Sequence, residues 1–147
     1  MTGNRVEVMH GVNLDQLGRR PSQHYGSLSL DELVFRIEGF ARELGLEARF
    51  FQTNAEDEFV EHLHRLEGLS DAIVLNPGAW THYSYAIRDA LEIAALPAVE
   101  VHLSDVEQRE PWRRTSVIRD LCLATVAGQG ADGYRTALER VREELAA

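Results

Sequence analysis

Apolar residues recur along this chain with two periods that take turns, one of two residues and one of three to four. Val6, Val8 and Met9 around Glu7 read as a first strand, and Gly11 turns the chain out of it. Leu33, Ile37, Phe40 and Leu44 then recur at helical spacing. Ser29 and Glu32 form a capping box at the start of that helix, and Gly45 ends it. Residues 48–51 read as a second strand. Asn54 is placed to cap a second helix carrying Phe59, Leu63 and Leu66, which Gly68 punctuates. Ala72-Ile73-Val74-Leu75 is an unbroken apolar run, the mark of a strand covered on both faces, and Asn76-Pro77-Gly78 is its exit turn. A third helix runs through Ala86, Ile87, Ala90 and Ile93, with Thr81 as its candidate cap. In residues 98–102, Val99 and Val101 alternate with Glu100 and His102, which is strand periodicity. Residues 116–126 contain a fifth strand, within which Leu121-Cys122-Leu123 reads as buried strand, and residues 134–145 close the chain as a helix.

Strands that alternate with helices predict a parallel sheet with helices on both faces. Five strands in 147 residues point to a flavodoxin-like doubly wound α/β fold, with the chain as a single catalytic domain over residues 1–147. Chemistry in such sheets collects just past the carboxyl ends of the strands. Those positions are the ones to search.

Composition narrows the chemistry. A formal charge of −9 disfavours binding to nucleic-acid phosphates or anionic membranes. No apolar run approaches the ~20 residues of a membrane span, and the start of the chain lacks the apolar core of a signal peptide. A single cysteine, Cys122, excludes an internal disulfide and fits a cytoplasmic location. All 15 basic residues are arginine. Without lysine there is no side-chain Schiff base and no P-loop lysine. An anionic substrate must be held by Arg, His, amides or backbone N–H groups.

Glu100 and His102 lie two apart on a strand and so project side by side, where a carboxylate can orient an imidazole. They also read as the wetter face of an edge strand. Asn76 and His82 follow the central strand, with Arg88-Asp89 beyond them, although a plain Pro-Gly turn and a surface ion pair would look the same. The irregular stretch 10–28 holds Asn13, Arg19, Arg20 and Tyr25, and an arginine beside a tyrosine favours phenolate over phenol. A loop this long is functional or mobile. Gly128-Gln129-Gly130-Ala131-Asp132-Gly133 matches a dinucleotide fingerprint in letters, but only one helix remains after it, so it reads as a tight turn. His62 and His64 sit two apart on a helix and read as surface residues, and no metal site is expected.

Taken together these stretches resemble one family, the type II 3-dehydroquinate dehydratases. The resemblance covers Gly11-Val12-Asn13-Leu14-Asp15-Gln16-Leu17-Gly18, Arg20, Tyr25-Gly26 and Phe51-Gln52-Thr53-Asn54. It continues through Asn76-Pro77-Gly78-Ala79, His82, Ser84, Arg88-Asp89-Ala90, Glu100-Val101-His102-Leu103-Ser104, Arg109-Glu110, Arg113 and Tyr134. It implies dehydration of 3-dehydroquinate to 3-dehydroshikimate by anti elimination through an enolate, with no metal and no cofactor. By position, Tyr25 would be the base and Arg20 its phenolate-stabilising partner. Asn13 would position a water on the enolate oxygen, and His102, oriented by Glu100, would be the general acid. Asn76, Leu103 and Ser104 would bind the substrate, its carboxylate included, while His82, Asp89 and Arg113 would hold the ring hydroxyls. The family assembles as homo-dodecamers, four trimers in which the residue at Asp89 reaches a neighbouring site.

Some neighbours depart from the family pattern: Val12, Asp15, Pro21, Thr53, Tyr83, Tyr85 and Asp105 are among them. Asp105 would weaken anion binding unless its carboxylate points away from the site. Two other readings stand beside the dehydratase. One is a related lyase acting on another cyclic hydroxy-keto acid. The other is a catalytically silent binding domain on the same scaffold.

Overall fold

The computed structural model describes residues 3–147. Five parallel strands form one sheet: β1 (Arg5–His10), β2 (Glu47–Gln52), β3 (Ala72–Asn76), β4 (Ala98–His102) and β5 (Ala124–Ala127). Their order is β2-β1-β3-β4-β5. The helices are α1 (Ser22–Tyr25), α2 (Leu30–Glu43), α3 (Glu56–His64), α4 (Tyr85–Ala94) and α5 (Asp132–Ala146). The expected doubly wound arrangement is therefore present, with the order reversing beside β1.

Side chains alternate across the sheet and build two cores. Val6, Val8, Val74, Val99 and Val101 face Leu33 and Ile37 of α2 and Leu138 and Val141 of α5. Met9, Ile73, Leu75 and Ala98 face Phe59 and Leu63 of α3 and Ile87 and Leu91 of α4. β3 is buried along its whole length, as its unbroken apolar run requires. Each fully buried Leu, Ile or Phe contributes about 1.5–3 kcal/mol relative to an exposed one. The Ser29–Glu32 capping box forms at the start of α2.

Several local expectations are corrected. Asn54 does not cap α3; Ala55 occupies that position, and the Asn54 side chain instead accepts from the Asn13 N–H at 2.8 Å and donates to Asp15 at 3.1 Å. The cap of α4 is Ser84, whose hydroxyl accepts from the Ile87 N–H, rather than Thr81. Its buried stripe is Ile87, Ala90, Leu91 and Ala94, so Ala86 and Ile93 face outward. Leu121-Cys122-Leu123 precedes β5 rather than forming it, and a 3-10 turn over Arg119–Leu121 leads into it. His64 is exposed as expected, whereas His62 is half-buried: it stacks on Phe51 at 3.8 Å and bonds the buried Glu7 at 2.7 Å. Arg88 pairs not with Asp89 but with Asp120, at 2.5 Å.

Two glycines let the exits of β1 and β3 touch. A Cβ at Gly11 would lie 2.2 Å from the Pro77 carbonyl oxygen. Gly78 has φ +67°, and its Cβ would lie 2.6 Å from the Val12 oxygen. This close approach forms the floor of the crevice at the strand ends.

Candidate active site

β4 is an interior strand, between β3 and β5, and all five of its residues are buried. Glu100 and His102 are thus not the wet face of an edge. They lie on the α3–α4 face of the sheet, and His102 Nε2 meets Glu100 Oε2 at 2.5 Å. Glu100 Oε2 also accepts from Thr81 Oγ1 at 2.5 Å, while Oε1 accepts from Ser116 at 2.8 Å and Thr125 at 3.4 Å. Burial pushes the Glu100 carboxyl up, but the bonds from His102, Thr81 and Ser116 outweigh it and hold the group below the ordinary carboxylate range. With Nε2 committed to Glu100, Nδ1 is the His102 nitrogen available for chemistry.

Tyr25 closes α1, inside the long loop. Its Oη accepts from Arg20 Nη2 at 2.7 Å and from Arg109 Nη1 at 2.5 Å. The Arg20 guanidinium also lies 3.9 Å from the Tyr25 ring centre. Both donors are cationic, so the Tyr25 oxygen receives two charge-assisted hydrogen bonds. The sequence motif gives Arg109 no role; the structure places it in the site across 84 residues of chain.

Tyr25 and His102 line one cavity of about 130 Å³. Asn13, Arg20, Asn76, His82, Leu103, Ser104, Arg109 and Arg113 line it with them. Three arginines face it, on a chain of net charge −9, so the field there favours an anion. His82 Nδ1 donates to the Thr115 carbonyl at 2.6 Å, which leaves Nε2 as acceptor. Burial lowers the His82 pKa; positive neighbours His102 and Arg113 act the same way, against the Thr115 carbonyl. Under Asn76, His10 and Tyr134 share a hydrogen bond of 2.9 Å, and burial pushes the His10 pKa down to about 4. The Leu103 and Ser104 carbonyls accept from Gly130 and Gly128, so the glycine-rich stretch is a turn that pins this wall.

One predicted site residue is not brought in. Asp89 lies exposed on α4 and does not line the cavity of its own chain. Three polar residues were not anticipated: Arg109, Thr81 and Ser116. Only the Arg109-Glu110 motif carried a signal. Asp105 is turned away from the cavity and accepts from the Glu107 N–H, so its charge does not line the anion site. Tyr83 and Tyr85 are exposed outside it. A larger open groove, about 570 Å³, runs along α2 past Phe35 and Phe40, but none of the residues that line the Tyr25–His102 cavity lines it. Among the described residues, no three His, Cys, Asp or Glu side chains converge as a metal site, and no helix is long and apolar enough to cross a membrane.

Residues 4–142 match the family model for class II dehydroquinases. The chain belongs to this family. It is accordingly an enzyme, a hydro-lyase. The 3-dehydroquinate dehydratase of Thermotoga neapolitana is 50% identical over 139 residues, 95% of this chain and 94% of that protein. The Thermotoga maritima 3-dehydroquinate dehydratase is 47% identical, over 96% of both chains. Among solved structures, the type II dehydroquinase from Propionibacterium acnes superposes with a TM-score of 0.90 at 38% identity, over 95% of this chain and 97% of that one. That from Butyrivibrio crossotus gives 0.89 at 37% identity, over 93% and 96%. The fold described above is therefore that of the class II dehydroquinases, and the binding-domain reading falls away.

Proposed function

We propose that the chain, as one catalytic domain, dehydrates 3-dehydroquinate to 3-dehydroshikimate, with Tyr25 as base and His102 as acid. One observation carries this reading: a tyrosine oxygen held by two guanidinium groups shares a small cavity with a carboxylate-bound imidazole. Tyr25, as phenolate, removes the proton beside the ketone. The charge passes to the ketone oxygen as an enolate, where a water held by Asn13 stabilises it. The enolate then expels the hydroxyl group, and His102 supplies the proton that makes it water. Glu100 stabilises the imidazolium that donates. Asn76, Leu103 and Ser104 hold the substrate, including its carboxylate, while His82 Nε2 accepts from a ring hydroxyl and Arg113 donates to one. Base and acid enter from different walls, a loop helix and a strand end, as an anti elimination requires.

Assembly belongs to the same reading. The exposed Asp89 carboxylate fits a role in a neighbouring copy's site, within four trimers that make a dodecamer. Light scattering of the purified protein tests this; a stable monomer with full activity would overturn it.

The activity is tested by the ultraviolet absorbance of the conjugated enone when the protein meets 3-dehydroquinate, with chelator present and Arg20→Ala as control. A rise with wild type and a much slower one with the control is expected. A folded wild type that gives no rise overturns the proposal. Poor turnover of 3-dehydroquinate with faster turnover of another cyclic hydroxy-keto acid would favour the related-lyase reading.

A further inference from the structure

The segment after Arg114 bonds the histidine side of the cavity through consecutive residues. Thr115 gives its carbonyl to His82 Nδ1 at 2.6 Å. Ser116 gives its hydroxyl to Glu100 Oε1 at 2.8 Å. Val117 donates its N–H to the Thr81 carbonyl at 2.8 Å, and its own carbonyl accepts from Arg88 at 2.8 Å. Arg88 in turn grips both oxygens of Asp120, at 2.5 and 2.9 Å. Three consecutive residues thus tie together His82, the buried carboxylate that bonds His102, and the outer side of α4.

We infer that residues 115–117 are a strap that fixes the hydrogen-bonding state of both site histidines, with Ser116 and Thr81 as positioning residues for the Glu100–His102 pair. The inference rests on the catalytic reading of His102 given above. Its physical basis is the direction of each bond. A carbonyl can only accept, so Thr115 forces His82 to carry its proton on Nδ1 and to present Nε2 to the cavity. Ser116 Oγ accepts from the Ile118 N–H at 3.3 Å, which leaves its hydroxyl hydrogen for Glu100. Thr81 supplies a second hydroxyl on the other oxygen. A fully buried carboxylate surrounded by donors stays ionised. The proton between Glu100 and His102 is then held on the ring, and the opposite nitrogen is the one that donates to the leaving group.

The titratable and charged groups around Glu100 are few. His102 lies beside it on β4, His82 follows Thr81, and the Cys122 thiol lies before β5, where burial and then the Glu100 charge push it up to about 12. Arg113 stands beyond His82. Thr125 adds only a long hydroxyl contact from β5. Loss of the Ser116 hydroxyl therefore falls on Glu100, whose one adjacent cationic partner, His102, already holds the other oxygen.

The test is Ser116→Ala beside Ser116→Thr, with Thr81→Val as a second, near-isosteric variant should Ser116→Ala fail to fold. Steady-state kinetics over pH and nitrogen NMR of the imidazole rings in the free protein are read together. A lost hydrogen bond to a charged group predicts a kcat lower by about tenfold and KM within about twofold. The acid limb of kcat moves up by about one pH unit, because Glu100 then protonates more easily. Ser116→Thr keeps the hydroxyl and restores kcat and the limb. In the NMR titration, the His102 ring in Ser116→Ala reports Glu100 protonation at a higher pH than in wild type. An active wild type whose Ser116→Ala variant keeps kcat and the acid limb overturns the strap. If wild type does not turn over 3-dehydroquinate, the catalytic reading fails by itself, and the NMR titration decides the strap: identical His102 titrations in wild type and variant overturn it.

Discussion

The two halves of the site are built on opposite principles. The Glu100–His102 half stands on an interior strand, is almost fully buried, and has its carboxylate surrounded by hydroxyl donors from β5, the strap and the turn after β3. The Tyr25 half stands on a four-residue helix within the loop, half-buried and with no buried residue of its own. Its order comes from guanidinium contacts made by Arg20 and Arg109. A general acid beside a carboxylate gains from a fixed, dry geometry. A base delivered on a loop can open to admit substrate and close to exclude water. The division sets a buried strand under the imidazole and a solvent-facing loop under the phenol.

That contrast can be broken from either side. Tyr25→Phe is expected to show the largest effect: kcat falls by about a thousandfold while the melting temperature stays within a degree or so, because little packing is lost. Glu100→Gln is its mirror. It places an amide N–H among hydroxyl donors, so it lowers both activity and stability, the latter by about 2 kcal/mol. Kinetics and thermal melting of the pair check this; equal stability losses in both variants would erase the distinction.

A second prediction concerns the floor under Asn76. His10 is neutral in the folded protein down to about pH 4, whereas in the unfolded chain it takes up a proton near its ordinary value. The unfolded state therefore binds more protons between about pH 6.5 and 4, and stability falls as pH drops through that window, by about 3 kcal/mol for a group so buried. His10→Gln is expected to flatten this dependence. Urea unfolding at pH 7, 5.5 and 4.5 measures it, and unchanged slopes in the variant would show that other groups carry the effect.

The smallest effect is expected at the hinge of the loop. Asn54→Ala removes the bonds that tie Asn13 and Asp15 to the end of β2, while the cap of α3 is untouched. KM should rise by about two- to threefold with stability reduced by less than about 1 kcal/mol. A KM equal to wild type would show that the loop is held by its arginine contacts alone.

How much of this was legible in the chain depends on distance along it. The Ser29 cap, the buried run of β3 and the adjacency of Glu100 and His102 are local, set by periodicity and spacing of a few residues, and each is present as read. Asn54 and Thr81 are residue types that cap helices, and their positions in the sequence suit that role. The folded chain uses both for contacts to residues 41 and 19 positions away, respectively. Ile93 looked like part of a buried stripe because a period of 3.6 does not say which of two adjacent apolar rows faces the sheet.

The sequence by itself determined the fold class, the two periods that build its layers, the absence of lysine chemistry, and the residue types from which a base, an acid and an anion site could be made. Only the tertiary structure decided that Arg109 joins Arg20 on the Tyr25 oxygen, that Thr81 and Ser116 surround Glu100 with donors, and that Asp89 stays outside its own cavity. The physical reason is that periodicity and capping are short-range properties of a chain, whereas a hydrogen bond between distant residues depends on the angles at which packed elements meet.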